Sequence, residues 1–445
     1  MVNFYIKTYG CQANVADSQA ISNFLEELNC KEVKGEIGAD LILINTCAIR
    51  EKAEQKVYSY IGGLIKLKEK NPHLKIIIVG CIATYRKKEF YSRFPSINFV
   101  SGAKENKKIL LDKLIDLVVS LQTRKQIFSL NNNKNVSIGK FSLELGGLKK
   151  EQKLLKQSFI NIMTGCNNFC SYCIVPFTRG REISYSSEKI IEKIKMDVNL
   201  GAKEITLLGQ NVNSYKDPKN NLNFAQLLEK VANIKGDFWV RFMSPHPKDM
   251  TLDVIKMIAK YKDKLCPFIH HPLQSGSNNI LKAMKREYTV EKYLKQIEWI
   301  HKFLPMATIS TDIIVGFPGE TEDDFRKTMD VIQGVKFDNI FSFIYSPRKY
   351  TKAALLKDNC SYEEKQKRLD VLQKRQVVIA RSKNETYIGK TLKCLVEKRT
   401  TNGKLLARSA GNHRILFNGK DSIIDTFVNI KVKSAGAVNL TGSLN

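Results

Sequence analysis

The chain has 445 residues, 43% of them hydrophobic, with 72 Lys and Arg against 44 Asp and Glu, a formal charge of +28. That length exceeds what one core usually serves, so about three domains are expected, and the apolar content is ample for globular folding. The N-terminal stretch lacks a basic leader before a long apolar run, and no segment approaches the ~18 apolar residues of a membrane helix, which argues against a secreted precursor or a membrane span and makes the cytoplasm the expected location. The charge excess suits a polyanionic partner, although a lysine-rich composition with runs such as NNNKN would put the same charge on solvated faces. Ten cysteines without a secretory leader argue for metal ligation or catalysis rather than disulfides.

Residues 1 to about 118 alternate the short apolar runs FYIKTYG, LILINTC, KIIIVGC and NFVSGA with amphipathic stretches. Strands separated by helices need crossovers, which predicts an α/β domain with a mainly parallel sheet. Three of these runs end at Cys11, Cys47 and Cys81. Open α/β sheets bind ligands beyond the carboxyl ends of their strands, so this topology gathers three cysteines distant in sequence on one rim. A single such cysteine is better read as a small buried side chain; three at equivalent strand ends make a candidate metal site. A polar, weakly periodic stretch over 119–152 reads as a linker with room for a short strand or two.

From 153 to 382 six βα units are expected, with the strands FINIMTGC, EITLLGQN, FWVRFMS, CPFIHHPL, TISTDIIVG and NIFSFIYS. Six units make an incomplete parallel barrel, whose active groups gather on the face where the strands end. The first strand runs into IMTGCNNFCSYCIVPFTRG, which spaces Cys166, Cys170 and Cys173 as CxxxCxxC. Three thiolates on one tight loop hold three corners of a four-iron, four-sulfur cube and leave one iron without a protein ligand. Zinc fingers favour a paired CxxC with a second pair close by, which is missing here; structural zinc or inert thiols stay as the competing reading. After a charged helical stretch near 361–383, the runs TLKCLVEK, KLLARSA, HRILFNG and FVNIKVKSAGAVNL predict a small antiparallel β-barrel over 383–445. Cys30, Cys266, Cys360 and Cys394 fit no ligand spacing and are expected to be buried or incidental.

These residues resemble a known family. A CxxxCxxC loop after the first strand of a six-unit βα barrel resembles the radical S-adenosylmethionine (SAM) enzymes, and the preceding three-cysteine domain narrows the resemblance to the methylthiotransferases. The matching stretches cover nearly the whole chain: TYGCQANVADS, NTCAIREKAEQKV, VGCIA, GCNNFCSYCIVPFTRGRE, LLGQNVNSY, SPHP, PLQSGS and TDIIVGFPGETEDDF. The run NTCAIREKAE is similar to the MiaB type, which methylthiolates C2 of N6-dimethylallyl adenosine at position 37 of tRNA. Sister branches, acting on threonylcarbamoyl adenosine in tRNA or on a ribosomal protein aspartate, usually lack that run.

The resemblance implies two 4Fe-4S clusters. Cys166, Cys170 and Cys173 would hold the one that binds and cleaves SAM, and Cys11, Cys47 and Cys81 an auxiliary one that presents sulfur. One SAM would methylate that sulfur and a second would supply the radical. Tyr172, Gly209, Gln210, Asn211, Ser244 and Gly316 match positions near SAM or the nucleoside. Each also has a plainer role: core packing for Tyr172, a strand end and turn for LGQN, a strand-to-helix turn for Gly316. His246 in SPHP either lines the SAM pocket or is a satisfied structural histidine. The pair His270 and His271 departs from the family, which usually shows one histidine followed by an apolar residue. The C-terminal barrel resembles the TRAM RNA-binding module, though less sharply than the upstream motifs. Its Lys398, Arg399, Lys404, Arg408, His413 and Arg414 are candidate contacts to the tRNA anticodon stem-loop, with solvated surface charge as the default for any one of them. An electron donor such as a flavodoxin or ferredoxin is the other implied partner, and a monomer is expected. The reading from another class is a non-catalytic metal-binding protein that binds RNA; it leaves the LLGQN and VGFPGE strand ends without purpose.

Overall fold

The computed structural model describes residues 1–48, 51–128 and 157–445, with side chains described outside 51–53 and 126–128. One compact unit holds the described residues of Met1–Lys153 with Phe159–Asn167 and Ile174–Ile183; a second holds those of Leu154–Ser158, Asn168–Cys173 and Ser184–Asn445.

In the first unit, β1 (Val2–Thr8), β2 (Cys30–Glu32), β3 (Leu41–Thr46), β4 (Lys75–Gly80) and β5 (Phe99–Gly102) form a sheet in the order β2-β1-β3-β4-β5, parallel throughout. Every residue of β3 is buried, as a strand covered on both faces requires. Its side chains alternate: Leu41 and Leu43 meet α1 (Gln12–Glu27) and α4 (Lys107–Phe128) through Phe24, Leu25 and Leu114. Ile42 and Ile44 meet α2 (Glu51–Lys70) and α3 (Cys81–Arg93) through Val57, Ile61 and Phe90. The edge strand β2 escapes a reading by pattern because it has three residues and buries only Cys30. The expected linker also starts later than the sequence suggests. Leu114, Leu117, Val118 and Leu121 recur at helical spacing and are buried, so α4 continues through 119–128. The rest of that linker, with the basic LKKEQK, and Ile49 and Arg50 of the IREKAE run lie outside the described residues.

The strand β6 (Gln157–Asn161) carries the chain from the second unit into the first, where β7 (Met163–Thr164) and α5 (Val175–Arg179) follow; β8 (Ile183–Ser184) leads back. In the second unit β9 (Glu204–Leu208) pairs in parallel with β10 (Trp239–Phe242). The strands β11 (Phe268–His270), β12 (Thr308–Val315) and β13 (Asn339–Ile344) form a parallel set in that order, and a Val240 to Leu265 bridge joins the two groups. The intervening helices are α6 (Ser187–Asn199), α7 (Phe224–Ala232), α8 (Leu252–Lys260), α9 (Asn278–Ala283), α10 (Val290–Phe303) and α11 (Glu322–Val335). Two begin with reciprocal caps, Asn223 with Gln226 and Thr321 with Asp324, which satisfy otherwise orphaned N–H groups. Within the second unit, five of the six strands expected of the incomplete barrel, β9 to β13, therefore lie side by side.

After α12 (Tyr362–Glu385) come β14 (Thr391–Arg399), β15 (Leu405–Ser409), β16 (Arg414–Phe417), β17 (Phe427–Ala435) and β18 (Asn439–Leu444), closed in the order β14-β15-β16-β18-β17. The all-antiparallel expectation needs one correction: β16 and β18 pair in parallel. The last apolar run breaks at Gly436 into two strands, and the second returns beside β16. This barrel is tied to the preceding strands by a buried charge cluster. Glu204 accepts from Arg241 Nε at 2.7 Å and Arg408 Nη2 at 2.6 Å, and the other Arg241 nitrogens donate to the Ala410 and Ser409 carbonyls. Burial raises the Glu204 carboxyl, and the two guanidiniums outweigh it, holding the group below the usual carboxylate range. Removing one member of a buried ionic cluster strands the others without a counter-charge. Glu204→Leu is therefore expected to cost about 3 kcal/mol of stability in chemical denaturation.

Candidate cluster and cofactor sites

The cysteines at the ends of β1, β3 and β4 meet because glycine precedes two of them. Gly10 and Gly80 have φ of +121° and +100°. A Cβ at Gly10 would lie 2.4 Å from the Cys47 Cβ, and one at Gly80 would lie 2.4 Å from the Thr46 carbonyl oxygen. Only glycine allows this approach. With Thr8 opposite Asn45 and Thr46 opposite Gly80, Cys11, Cys47 and Cys81 stand at one rim, as the sequence predicts.

A buried polar network fixes that rim. Asn14 Nδ2 donates to the Tyr9 and Thr46 carbonyls and to Asn45 Oδ1, while Asn45 Nδ2 donates to the Asn14 carbonyl and Ser18 Oγ. Asn14 Oδ1 faces the Cys11 sulfur at 3.5 Å and accepts from Arg179 Nη2 at 3.1 Å. The same Arg179 nitrogen lies 2.9 Å from Asp17 Oδ2. Burial pushes the Cys81 thiol up, and Arg179 opposes it. Among the described residues, no three Cys, His, Asp or Glu side chains close into a metal-holding group as they are arranged. The donor chemistry nonetheless suits an iron–sulfur cluster: two buried thiols and one half-buried thiol on adjacent strand ends, with a buried cation beside them.

The CxxxCxxC loop begins in the first unit, where Cys166 N–H donates to the Gly180 carbonyl at 3.2 Å. Its second half belongs to the other unit. There Cys173 N–H donates to the Cys170 carbonyl, and Ser171 is held through its N–H by Met284, through its hydroxyl by Ala283 and through its carbonyl by Ala353. Arg286, buried, brings Nη1 to 3.4 Å from both the Cys170 sulfur and the Tyr172 hydroxyl, and bonds the Tyr288 hydroxyl and the Pro272 carbonyl. Nothing in the sequence spacing points to Arg286 or Arg179.

The Tyr172 ring packs against Ile280, Met284, Phe317, Tyr345 and Ala353, its plainer expected role. Gly209 is buried and Gln210 half-buried where β9 ends. Asn211 Nδ2 donates to Asp249 at 2.6 Å, and its buried Oδ1 has no partner among the described residues. The same holds for Nε2 of His246, whose Nδ1 accepts from Lys248 N–H at 3.2 Å. Unsatisfied buried polar atoms are what a bound molecule would satisfy. Ser244 sits between them in sequence with φ of +60°, a strained conformation for a non-glycine residue. Above Gly316 the space is filled by the stem of Lys365, whose Cγ would be 2.2 Å from an added Cβ. Glycine there accommodates α12.

Sequence comparison agrees with this layout. The Radical SAM superfamily profile matches residues 160–332, Uncharacterized protein family UPF0004 matches 3–102, and the TRAM domain matches 385–444. A tRNA-2-methylthio-N(6)-dimethylallyladenosine synthase from Clostridium botulinum (strain Langeland) is 42% identical over 99% of this chain and 96% of its own length. Proteins of the same name from Carboxydothermus hydrogenoformans and Thermodesulfovibrio yellowstonii are each 40% identical over 99% of this chain, and over 99% and 98% of their own lengths. The chain belongs to this synthase family. Among solved structures, the radical S-adenosylmethionine methyltransferase TsrM from Kitasatospora setae aligns at a TM-score of 0.54 with 10% identity, over 80% of this chain and 75% of that one. The cobalamin-dependent enzyme OxsB aligns at 0.52 with 13% identity, over 80% and 55%. Both likenesses concern the fold.

Other candidates fall into place against the synthase family pattern. His271, the departure from it, is fully buried, stacked on Tyr293 and 3.0 Å from Gln296 Oε1. His270 bonds Ser310 Oγ at 2.9 Å and lies 3.3 Å from Asp312. On the C-terminal barrel Lys398, Lys404 and Arg414 are exposed. Arg399, also exposed, is held by Asp421 and the Gly419 carbonyl. Arg408 is committed to Glu204 and Glu397, and His413 to Ser409 and the Tyr387 ring. Burial pushes the thiols of Cys30 and Cys394 up to about 12 and those of Cys266 and Cys360 up to about 11, as fits inert packing. Among the described residues no helix is long and apolar enough to cross a membrane.

His271 generates a pH dependence. Burial lowers its pKa to about 3, against roughly 6.5 when unfolded. The unfolded chain therefore binds a proton that the folded chain refuses, and the associated stability, complete above pH ~6.5, is lost as pH falls towards about 3. Unfolding free energy measured between pH 7 and 5 should fall by up to about 1.4 kcal/mol per unit from this residue, and His271→Gln should flatten that slope.

Proposed function

We propose that this chain transfers a methylthio group to C2 of N6-dimethylallyl adenosine in tRNA, beside the anticodon. Family membership over nearly the full length carries the reading, and the strand-end rim of Cys11, Cys47 and Cys81 and the CxxxCxxC spacing of Cys166, Cys170 and Cys173 support it. In this reading Cys166, Cys170 and Cys173 hold the cluster that binds SAM, and Cys11, Cys47 and Cys81 hold a second cluster. Bound SAM and a reduced cluster supply the radical chemistry that an unactivated aromatic C–H bond demands. The protein's part is to orient and to exclude water. Ser171 anchors the loop through three hydrogen bonds. Arg286 places fixed positive charge at Cys170, and Asn211 and His246 keep buried polar atoms ready for the polar end of the cofactor. We assign tRNA binding to the exposed Lys398, Lys404 and Arg414, with Arg399 and Arg408 holding the barrel's shape. The protein acts in the cytoplasm as a monomer and takes electrons from a small redox protein such as a flavodoxin or ferredoxin.

Mass spectrometry of tRNA from cells lacking this protein tests the substrate: the methylthio group should vanish from isopentenyl adenosine, and an unchanged level overturns the reading. In the purified enzyme, Cys11→Ala should retain SAM cleavage to deoxyadenosine while methylthiolation falls below detection, whereas Cys170→Ala should abolish both. For RNA, replacing Lys398, Lys404 and Arg414 together by Ala should flatten the dependence of log affinity on log salt by about 0.7 to 0.9 per lost phosphate contact. An unaltered slope removes these side chains from the interface.

A further inference from the structure

Arg179 lies six residues after Cys173 in sequence, in the helix that follows the CxxxCxxC loop, yet its guanidinium is inserted at the other cysteine trio. It is 9% exposed. The first two turns of α1 hold it: Asn14 and Asp17, three residues apart and so on one helix face, both accept from Nη2. Asn14 shares the same oxygen with the Cys11 sulfur. The cation is also close enough to Cys81 and Cys11 for each thiolate to favour its charged form. A buried arginine needs a counter-charge, and Asp17, 28% exposed, supplies one. One carboxylate does not account for the choice of position. The guanidinium points at thiols from a segment that could have presented it to solvent, and arginine, unlike lysine, stays charged whatever its surroundings.

We propose that Arg179 is a positioning and charge-setting residue for the iron–sulfur cluster of Cys11, Cys47 and Cys81, raising that cluster's reduction potential. The inference rests on the reading above that this trio holds a cluster. Reduction adds one negative charge to a group already bound by three thiolates, and net charge, hydrogen bonds to sulfur and solvent exposure set the potential of such a centre. A buried guanidinium favours the more negative form. Asp17 works in the opposite direction, so the pair sets the potential by difference. The segment downstream of the loop cysteines thereby adjusts the electronics of the first-domain site.

The test is a redox titration of the reconstituted full chain followed by electron paramagnetic resonance, with Cys166, Cys170 and Cys173 replaced by Ala to isolate the first-domain signal. Arg179→Gln should lower the reduced-to-oxidised ratio at the parent midpoint about tenfold, a shift of about 59 mV to more negative potential for one electron. Arg179→Lys should shift less. Asp17→Asn should move the midpoint the other way, and it stands alone as a test if Arg179→Gln does not fold. Opposite signs support the proposal; unmoved midpoints, or shifts of the same sign, overturn it. Iron content separates this from the underlying reading. In the otherwise native chain, Cys11→Ala should drop iron from about eight to about four per chain, two cubes to one. If it does not, the first-domain cluster and this inference both fail; if it does and the midpoints stay fixed, only the inference fails.

Discussion

A parallel sheet delivers the carboxyl end of every strand to the same edge. That constraint converts Cys11, Cys47 and Cys81, separated by more than thirty residues at each step, into neighbours on a rim. It acts again in the second unit, where the ends of β9, β10 and β12 carry Asn211, His246 and Gly316. Function is thus confined to edges, and the strands behind them are free to be apolar throughout, as β3 is.

Gathering sulfur at an edge has an electrostatic cost, because thiolates in a poorly hydrated setting disfavour their own ionisation. Each trio has a buried arginine beside one or more of its members: Arg179 near Cys11 and Cys81, Arg286 near Cys170. The two are supported differently. Arg179 has a carboxylate partner and an amide, whereas Arg286 is surrounded by tyrosine hydroxyls and a backbone carbonyl. The arginine at Cys170 therefore has no carboxylate among these partners, while at the first-domain rim Asp17 offsets part of the positive charge.

Much of this was legible in the sequence because it is written locally. The alternation of apolar runs and amphipathic stretches defines the strands, and the spacing of Cys166, Cys170 and Cys173 defines the loop. What was not legible depends on distance in the chain. Arg286 approaches Cys170 from 116 residues away, and Arg179 reaches Asn14 from 165 residues away, so no window of sequence contains either pair. Arg408 is by its charge a candidate RNA contact or a solvated surface residue, but a partner more than two hundred residues upstream, Glu204, holds it. Gly316 matches a position near SAM or the nucleoside by resemblance alone, and pattern does not show that the stem of Lys365, on a later helix, fills the space beside it. Local pattern reports element type, while the identity of a side chain's neighbour is settled only by topology. The parallel pairing of β16 with β18 escaped for the same reason, since strand period does not encode strand direction.

The cluster of Glu204, Arg241 and Arg408 has a thermal consequence. Ions hydrate less favourably as temperature rises, so the cost of having dried these three groups falls on heating while the apolar contribution per unit area levels off. The joint between β9, β10 and the C-terminal barrel is therefore least weakened where the Trp239 and Phe427 contact beside it gains nothing more. Near the melting point the small barrel should stay latched to the strands it rests on, and the two should melt within a single calorimetric peak instead of the barrel fraying off first.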